Sequence, residues 1–309
     1  MSLTVAIGPS SFAAKDDTPM RMLEDAGVVI KPNPFGRRLT EEEIMAHLEG
    51  VDGLIAGLEP LNRKVLTAAP GLKAIARVGI GMDNVDSESA AELGIKVSNT
   101  PDGPTRAVAE LTMTCMLALS RGLLEINATL HQGDWNKVIC SGLWGSPVLF
   151  IGFGRIGRAV AGLAHAFGAR VLVCDPAVTP ESLQPNEKLV SLEEGLSQSR
   201  VITLHAAGSD CILDRGAFQK MQEGVILLNS ARAGLVDEGA LIAALASGKV
   251  GGAWFDAFWR EPYQGELQRF PNVLLTPHVC TYTTPCRLGM ETEAVANLLR
   301  DLRKPKRED

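Results

Sequence analysis

Three side chains suited to anion binding and proton transfer stand in the second half of this 309-residue chain. Arg232, Glu261 and His278 each come shortly after an apolar, strand-like run. An arginine pairs with a carboxylate through two parallel hydrogen bonds, and an imidazole exchanges a proton near neutral pH. Glu261 is suited to orient the imidazole of His278 and to stabilise its positive charge. Each residue alone is more often structural, but their shared placement at strand ends predicts a site that binds an acid and moves a proton.

A glycine-rich turn near the middle of the chain predicts a dinucleotide-binding unit beside these residues. The apolar run 148–151 leads into Gly152, Gly154 and Gly157, which have the spacing G-x-G-x-x-G, and a helical pattern follows. In such a unit the first glycine makes a tight turn and the second lets the backbone approach a pyrophosphate. The third lets the helix pack closely against the strand.

The helix after this turn and the strand that follows it complete the unit. The helix begins at Arg155 and Ile156, and the free N–H groups of its first turn favour phosphate binding. Asp175 ends the next strand about 20 residues further on, where a carboxylate accepts hydrogen bonds from the adenosine ribose. Because a carboxylate there repels a 2′-phosphate, the sequence predicts NAD and not NADP as the cofactor.

With a nicotinamide as hydride donor, the three side chains fit the reduction of a 2-keto acid. The protein must then hold a carboxylate, polarise a carbonyl and provide a proton. Arg232 would bind the substrate carboxylate and keto oxygen, and His278 would be the general acid in reduction and the general base in oxidation. Because parallel strands bring their carboxyl ends to one edge of a sheet, Ala231 and Asp256 are expected beside the same cofactor.

Composition is that of an ordinary globular chain that is long enough for two domains. The net charge is −6, and 46% of the residues are hydrophobic and 21% charged, which disfavours nucleic acid or an anionic membrane as a partner. The six cysteines form no C-x-x-C pair, so we expect reduced thiols, a cytoplasmic location and no metal site. The basic residues between Arg300 and Arg307 are expected to lie at the end of the last helix and in a solvated tail that follows it.

Strand and helix patterns alternate along the whole chain. This alternation predicts an α/β fold of two doubly wound domains, each a parallel sheet covered by helices. The turn-forming stretch TPDGP, residues 100–104, marks the boundary between them. Thr40, followed by three glutamates, predicts the N-cap of a helix in the first domain.

Seven segments resemble the D-isomer-specific 2-hydroxyacid dehydrogenases, and together they extend over most of the chain. They are ARVGIGMDNVD (76–86), GIKVSNTP (94–101), TRAVAELTM (105–113), IGFGRIG (151–157), LLNSARAGLVDE (227–238), the D…EP segment (256–262) and TPHVCTYT (276–283). The resemblance implies a flavodoxin-like substrate domain, residues 1–100 with 284–309, and a Rossmann NAD-binding domain, residues 101–283. It also implies a homodimer built on the helices after Thr105.

The resemblance implies roles for individual residues as well. Arg232 is the arginine that binds the substrate carboxylate, His278 the acid/base and Glu261 its carboxylate partner. The backbone N–H groups of Val78 and Gly79 would hold the same substrate carboxylate.

Asp256 would contact the nicotinamide carboxamide. Two departures affect neighbouring contacts: the loop AAGSDC (206–211) is shorter than usual, and Ala233 replaces a common glycine.

Several substrates and one different function remain open. TRAVAEL resembles a segment of 3-phosphoglycerate dehydrogenases, so Arg77 and Arg106 could bind a substrate phosphate, although surface ion pairs explain them equally well. We therefore expect 3-phosphoglycerate as the substrate, with hydroxypyruvate or glyoxylate reduction as the alternative. A different class is an NAD-sensing interaction protein, because some corepressors share this fold and these three residues.

Overall fold

The computed structural model describes residues 2–303, which form two compact units. The first unit consists of the residues up to Pro104 and those from Thr281 onward, and the second unit is Thr105–Cys280. The sequence predicts boundaries at 100/101 and 283/284, a few residues from these divisions. Lys304 and the rest of the predicted basic tail lie outside the described residues.

The first unit is a five-stranded parallel sheet with helices. Its strands are β1 (Thr4–Ile7), β2 (Val29–Lys31), β3 (Gly53–Ala56), β4 (Ala74–Arg77) and β5 (Lys96–Asn99). They lie in the order β2-β1-β3-β4-β5. Its helices are α1 (Thr18–Asp25), α2 (Glu41–His47), α3 (Arg63–Thr67), α4 (Ser87–Glu92) and, at the end of the chain, α11 (Thr284–Arg303).

The second unit is built on a seven-stranded parallel sheet. Its strands are β6 (Pro147–Ile151), β7 (Arg170–Cys174), β8 (Glu187–Leu189), β9 (Val201–Leu204), β10 (Val225–Asn229), β11 (Val250–Phe255) and β12 (Val273–Leu275). They lie in the order β12-β11-β10-β9-β6-β7-β8. Its helices are α5 (Pro104–Ser120), α6 (Leu123–His131), α7 (Arg155–Ala166), α8 (Leu192–Gln198), α9 (Arg215–Lys220) and α10 (Glu238–Ala246).

These strand orders confirm the predicted fold class of two doubly wound parallel-sheet domains. In each sheet the chain runs outward in one direction, returns to the middle and continues the other way. The order reverses between β1 and β3 in the first unit and between β6 and β9 in the second. In open α/β sheets, ligands bind outside the carboxyl ends of the strands at such switch points.

Apolar clusters cover both faces of the second sheet. Successive side chains of β6 alternate between two apolar clusters: Val148 and Phe150 belong to one, and Leu149 and Ile151 to the other. This alternation follows from the pleat of the strand, and it explains why the sequence of β6 is an uninterrupted apolar run.

The predicted cap of α2 is present in full. Thr40 Oγ1 accepts a hydrogen bond from the Glu43 N–H (3.3 Å), and the Thr40 N–H donates to Glu43 Oε2 (2.9 Å). This reciprocal pair is a capping box, which satisfies backbone donors that the helix itself leaves free.

Two elements of the second unit are not predicted from the sequence. The strand β8 has only three residues, all polar or half-buried, and α8 follows it directly. A short edge strand without a run of apolar residues gives no periodic signal.

Membrane-crossing potential is confined to one bent pair of helices. Within residues 2–303 no single helix has the length and apolar character to cross a bilayer. The pair α5 and α6, bent by 63°, meets that test only by length and composition.

Candidate active site

His278 and Glu261 form the central contact of the site. His278 lies three residues beyond the end of β12, and its Nδ1 is 3.0 Å from Glu261 Oε1 and 3.1 Å from Oε2. Because the carboxylate only accepts hydrogen bonds, Nδ1 must be the donor. The proton that His278 can exchange with a ligand is therefore the one on Nε2.

The loop after β11 holds Glu261 in place. The Phe258 N–H donates to Glu261 Oε1 (3.2 Å), and the Phe258 ring stacks on Tyr263 with centroids 4.6 Å apart. The Tyr263 hydroxyl donates to Glu238 Oε1 at the start of α10 (2.8 Å). Burial, together with this carboxylate, raises the pKa of Tyr263 to about 12, so the phenol keeps its proton and the contact persists at neutral pH.

Asp256 organises the turn that carries His278. Its Oδ1 accepts hydrogen bonds from Thr276 Oγ1 (2.6 Å) and from the Val279 N–H (2.9 Å), and its Oδ2 accepts one from the Cys280 N–H (3.0 Å). Asp256 is buried, and its three bonds lie on both sides of His278 in the chain. Asp256 thus fixes the position of the imidazole, a role that the sequence did not predict for it.

Arg232 follows the end of β10 and is held through its backbone. Asn229 Nδ2 donates to the Arg232 carbonyl (2.9 Å), and the Ala231 N–H donates to Asn229 Oδ1 (3.0 Å). The Arg232 side chain is half-buried and its Nη1 donates to the Ala231 carbonyl (3.1 Å). Because β10, β11 and β12 are neighbours in the sheet, their three following segments share one edge of the second unit.

In the glycine turn after β6, two of the glycines lie against other protein atoms and one lies beside open space. Gly152 has φ +88°, and an added Cβ would overlap the Ala206 nitrogen. A Cβ on Gly157 would overlap the Gly152 carbonyl oxygen, whereas a Cβ on Gly154 would have no protein atom within 4 Å. The protein itself therefore requires glycine at 152 and 157, and the open surface at Gly154 is where a pyrophosphate would need it.

The start of α7 fits the same ligand. Gly154 is the N-cap, is exposed and has no side chain to accept a hydrogen bond from the N–H groups of the first turn. Arg155 is exposed and Ile156 half-buried. These features fit the phosphates of a dinucleotide at a helix N-terminus.

Asp175 lies beside this turn at the end of β7. Its Oδ2 accepts a hydrogen bond from the Phe153 N–H (2.7 Å) and its Oδ1 accepts one from the Ala177 N–H (2.8 Å). Two accepted bonds leave lone pairs on both oxygens for further donors. Asp175 is thus anchored to the glycine turn and can still receive hydrogen bonds from ribose hydroxyls.

The backbone donors predicted in the first unit have acceptors within the protein. The Val78 N–H donates to the Ala56 carbonyl (2.9 Å), and the Gly79 N–H donates to Thr100 Oγ1 (2.7 Å). A ligand carboxylate at these groups would have to displace both acceptors. The assignment of the Val78 and Gly79 N–H groups to a ligand stays a prediction that requires this displacement.

The two arginines considered for a phosphate differ in exposure. The Arg77 side chain is buried and its Nη1 donates to the Val78 carbonyl, whereas Arg106 is exposed on the first turn of α5. Arg77 therefore does not offer an exposed guanidinium to a phosphate.

The remaining candidates behave as structural residues. Burial lowers the pKa of His205 to about 3, so that this histidine is neutral, and its Nε2 lies 2.9 Å from Thr203 Oγ1. Burial raises the pKa of the Cys280 and Cys286 thiols, which disfavours the thiolate that a metal needs. Within the described part of the chain, no group of three or more histidine, cysteine or acidic residues could hold a metal ion.

Comparison with known proteins matches both units. The family described as D-isomer specific 2-hydroxyacid dehydrogenase, NAD binding domain, matches residues 113–280. The hydroxypyruvate reductase of Thermotoga maritima is 38% identical over 274 residues, which are 85% of this chain and 89% of that protein. A solved structure of a Thermus thermophilus protein is 33% identical with a TM-score of 0.88, and the match covers 99% of each chain.

Other relatives are considerably longer. The D-3-phosphoglycerate dehydrogenase of Archaeoglobus fulgidus is 33% identical over 276 residues, which are 85% of this chain but 52% of that protein. The chain thus spans about half the length of the curated phosphoglycerate dehydrogenases that it matches. The matches, the glycine turn and the side chains that follow β10, β11 and β12 lead to one conclusion: the chain belongs to the D-isomer-specific 2-hydroxyacid dehydrogenases, a family of NAD-dependent oxidoreductases.

Proposed function

We propose that this chain reduces a small, unphosphorylated 2-keto acid, hydroxypyruvate or glyoxylate, to the 2-hydroxy acid. The observation that carries the reaction is the His278–Glu261 pair, with Nδ1 held by the carboxylate and Nε2 left for the substrate. The observation that favours an unphosphorylated substrate is the burial of Arg77.

Each side chain of the site then has a defined task. When bound, NADH supplies the hydride to the carbonyl carbon. His278 gives the Nε2 proton to the carbonyl oxygen, Arg232 binds the carboxylate, and Glu261 stabilises the imidazolium before its proton leaves. Asp256 keeps the His278 turn in position, and its predicted contact with the nicotinamide carboxamide stays a proposal.

The predicted role of the Val78 and Gly79 N–H groups, which directly follow the end of β4, as donors to the substrate carboxylate stays a proposal. Both residues are buried, and Asn99 Nδ2 fixes the following turn by donating to the Ile80 carbonyl (2.8 Å).

The cofactor assignments rest on the glycine turn. Gly152, Gly154 and Gly157 would shape the surface for the pyrophosphate, and the N–H groups of Arg155 and Ile156 would donate to it. Asp175 would accept hydrogen bonds from the adenosine ribose, and Ala231 would lie beside the nicotinamide.

3-Phosphoglycerate is the second candidate substrate. Curated relatives act on it by name, and the exposed Arg106 could meet a phosphate. The NAD-sensing role is the third reading, and a cytoplasmic location without nucleic-acid or membrane partners stays a prediction.

The test measures the oxidation of NADH from the decrease in its absorbance. The substrates are hydroxypyruvate, glyoxylate, pyruvate and phosphohydroxypyruvate, and each is also tested with NADPH. We expect kcat/KM to be highest for hydroxypyruvate or glyoxylate with NADH. A preference for phosphohydroxypyruvate would reverse the order of the two substrates. Tight NADH binding without turnover of any keto acid would contradict the enzymatic proposal and favour the sensing role.

We also propose that the working form is a homodimer. None of the residues of α6 is buried, and the segment after it exposes large apolar side chains, with Trp135 at 79% and Trp144 at 85% exposure. Apolar surface of this kind marks an interaction site, and a second copy of the chain is the partner that the family resemblance implies.

A further inference from the structure

The turn that carries His278 is tied at both ends to one segment of the second unit, β11 and the residue after it. Before His278, Thr276 Oγ1 lies 2.9 Å from Trp254 Nε1 and 2.6 Å from Asp256 Oδ1. After His278, two backbone N–H groups donate to the same Asp256 carboxylate. The proposed reaction gives a task to Asp256 but none to the Trp254 indole or the Thr276 hydroxyl.

The hydrogen bonds between these three side chains can run in one direction only. An indole N–H only donates, whereas a hydroxyl donates one hydrogen bond and accepts others. Trp254 therefore donates to the Thr276 oxygen, and the Thr276 hydroxyl donates its proton to Asp256. A donor on one side and an acceptor on the other thus fix a hydroxyl that would otherwise rotate.

Trp254 is the rigid end of this chain of hydrogen bonds. It is fully buried in an apolar cluster of the second unit, and Cys280, at the far end of the turn, is buried in the same cluster. Asp256 continues the ladder of β11 by donating its N–H to the Asn229 carbonyl (3.2 Å). Residues two apart in a strand share a face of the sheet, so Trp254 and Asp256 approach Thr276 from the same side.

The position of Thr276 is passed on to His278 through the backbone. The His278 N–H donates to the Thr276 carbonyl (2.8 Å), and only Pro277 lies between the two residues. Because the ring of a proline fixes its φ, few free torsions separate the anchored hydroxyl from the imidazole. A displacement of Thr276 would therefore displace His278.

We infer that Trp254 and Thr276 are positioning residues: their hydrogen bonds hold Asp256 and the turn so that His278 Nδ1 meets Glu261 and Nε2 is left for the substrate. This inference rests on the proposed reduction of a keto acid. The nitrogen that carries the proton of a neutral imidazole is set by the hydrogen bond that it makes. A loosened turn should therefore move that proton from Nδ1 to Nε2.

The experiment measures this tautomer and the turnover in the same variants. The tautomer is read from the ¹⁵N chemical shifts of histidine-labelled protein at about pH 9, where an ordinary imidazole is uncharged. The His278 signal is assigned by its absence in His278→Gln.

Thr276→Val removes the hydroxyl and keeps the shape of the side chain. In this variant we expect the Nε2-protonated form to increase and kcat for the preferred keto acid to fall about tenfold or more, while the Kd of NADH stays within about threefold. Thr276→Ser keeps the hydroxyl, so it should retain the tautomer and the turnover of the unchanged protein.

Two further variants keep the test decisive, and thermal unfolding checks that each variant is folded. Trp254→Phe keeps an aromatic ring in the core and removes the donor, so it should shift the tautomer in the same direction even if Thr276→Val does not fold. Thr292→Val is the matched control: Thr292 is half-buried like Thr276, and its hydroxyl donates to the Leu288 carbonyl (2.7 Å) within α11 of the first unit. It should leave the tautomer and the turnover unchanged.

The outcomes separate this inference from the proposed function. An unchanged tautomer in folded Thr276→Val or Trp254→Phe overturns the inference, as does a shift of equal size in Thr276→Ser or Thr292→Val. A shifted tautomer without loss of turnover also overturns it. The tautomer is measured without substrate, whereas the proposed function fails by a different result, namely the absence of keto-acid turnover in the unchanged protein.

Discussion

His278 adopts a backbone conformation that few side chains tolerate. Its φ is +55°, in the left-handed region, and such conformations persist where the surroundings hold them. Here the conformation is stabilised by the three hydrogen bonds that Asp256 accepts on either side of His278 and by the contact of His278 with Glu261. The strained residue is thus the one whose position the proton transfer requires.

Removal of His278 or Arg232 should lower turnover by orders of magnitude without abolishing cofactor binding. For His278→Ala and for Arg232→Ala we expect kcat/KM for the preferred keto acid to fall by a factor on the order of 10²–10⁴. The Kd of NADH, measured by fluorescence, should stay within about threefold of the unchanged protein, because the glycine turn is untouched. Near-normal turnover in either variant would show that the assigned roles are wrong.

Stability should depend on the protonation of His205. Burial lowers its pKa to about 3, so as the pH falls below about 6.5 the unfolded chain binds a proton that the folded chain does not. Folding stability is therefore lost as the pH falls, by at most about 1.4 kcal/mol per pH unit.

Urea unfolding at pH 7 and pH 5 measures this loss. In His205→Asn the decrease over that interval should be smaller by about 1–2 kcal/mol. The exposed His131, changed to Asn, serves as the control and should keep the decrease of the unchanged protein. Equal pH dependence in both variants would rule out His205 as the source.

At the scale of elements, the glycines at the start of α7 have two different roles: Gly157 is required by packing within the protein, and Gly154 leaves space for a ligand. Gly154→Ala should leave thermal stability nearly unchanged, because its φ is −74° and no protein atom lies near. It should nevertheless raise the Kd of NADH more than about tenfold, because the methyl group occupies the pyrophosphate path.

Gly157→Ala should weaken binding and also destabilise the protein by about 1–3 kcal/mol, because its Cβ would overlap the Gly152 carbonyl oxygen. Thermal unfolding and NADH titration of the two variants side by side distinguish these effects. Normal NADH binding by Gly154→Ala would place the pyrophosphate elsewhere.

Elements that repeat a local pattern are predictable from sequence, and contacts between distant segments are not. The apolar runs of β10, β11 and β12 locate the strand ends, and therefore Arg232, Glu261 and His278. The occupation of the Gly79 N–H depends on Thr100 in the segment after β5, which no local pattern reveals. The burial of Glu59 likewise depends on the absence of a side chain at Gly8.

At the scale of the whole molecule, the exposed apolar segment around α6 should determine the oligomeric state. Ile139 is fully exposed, and a charge there would be desolvated in an interface between copies. Ile139→Asp should therefore convert a dimer to a monomer in light scattering. Val29→Asp, at an exposed apolar residue of β2, should leave the dimer intact, and a monomeric mass for the unchanged protein would contradict the proposal.

The order of the two units along the chain has a consequence for biosynthesis. The second unit is contained within residues 105–280, whereas the first needs α11, whose Met290, Ala294, Val295 and Leu298 are buried. A ribosome thus completes the cofactor-binding unit before it supplies the last helix of the other. Until then the early strands β3, β4 and β5 lack the helix that packs on them, and this nascent sheet is the stage at which a chaperone would be most needed.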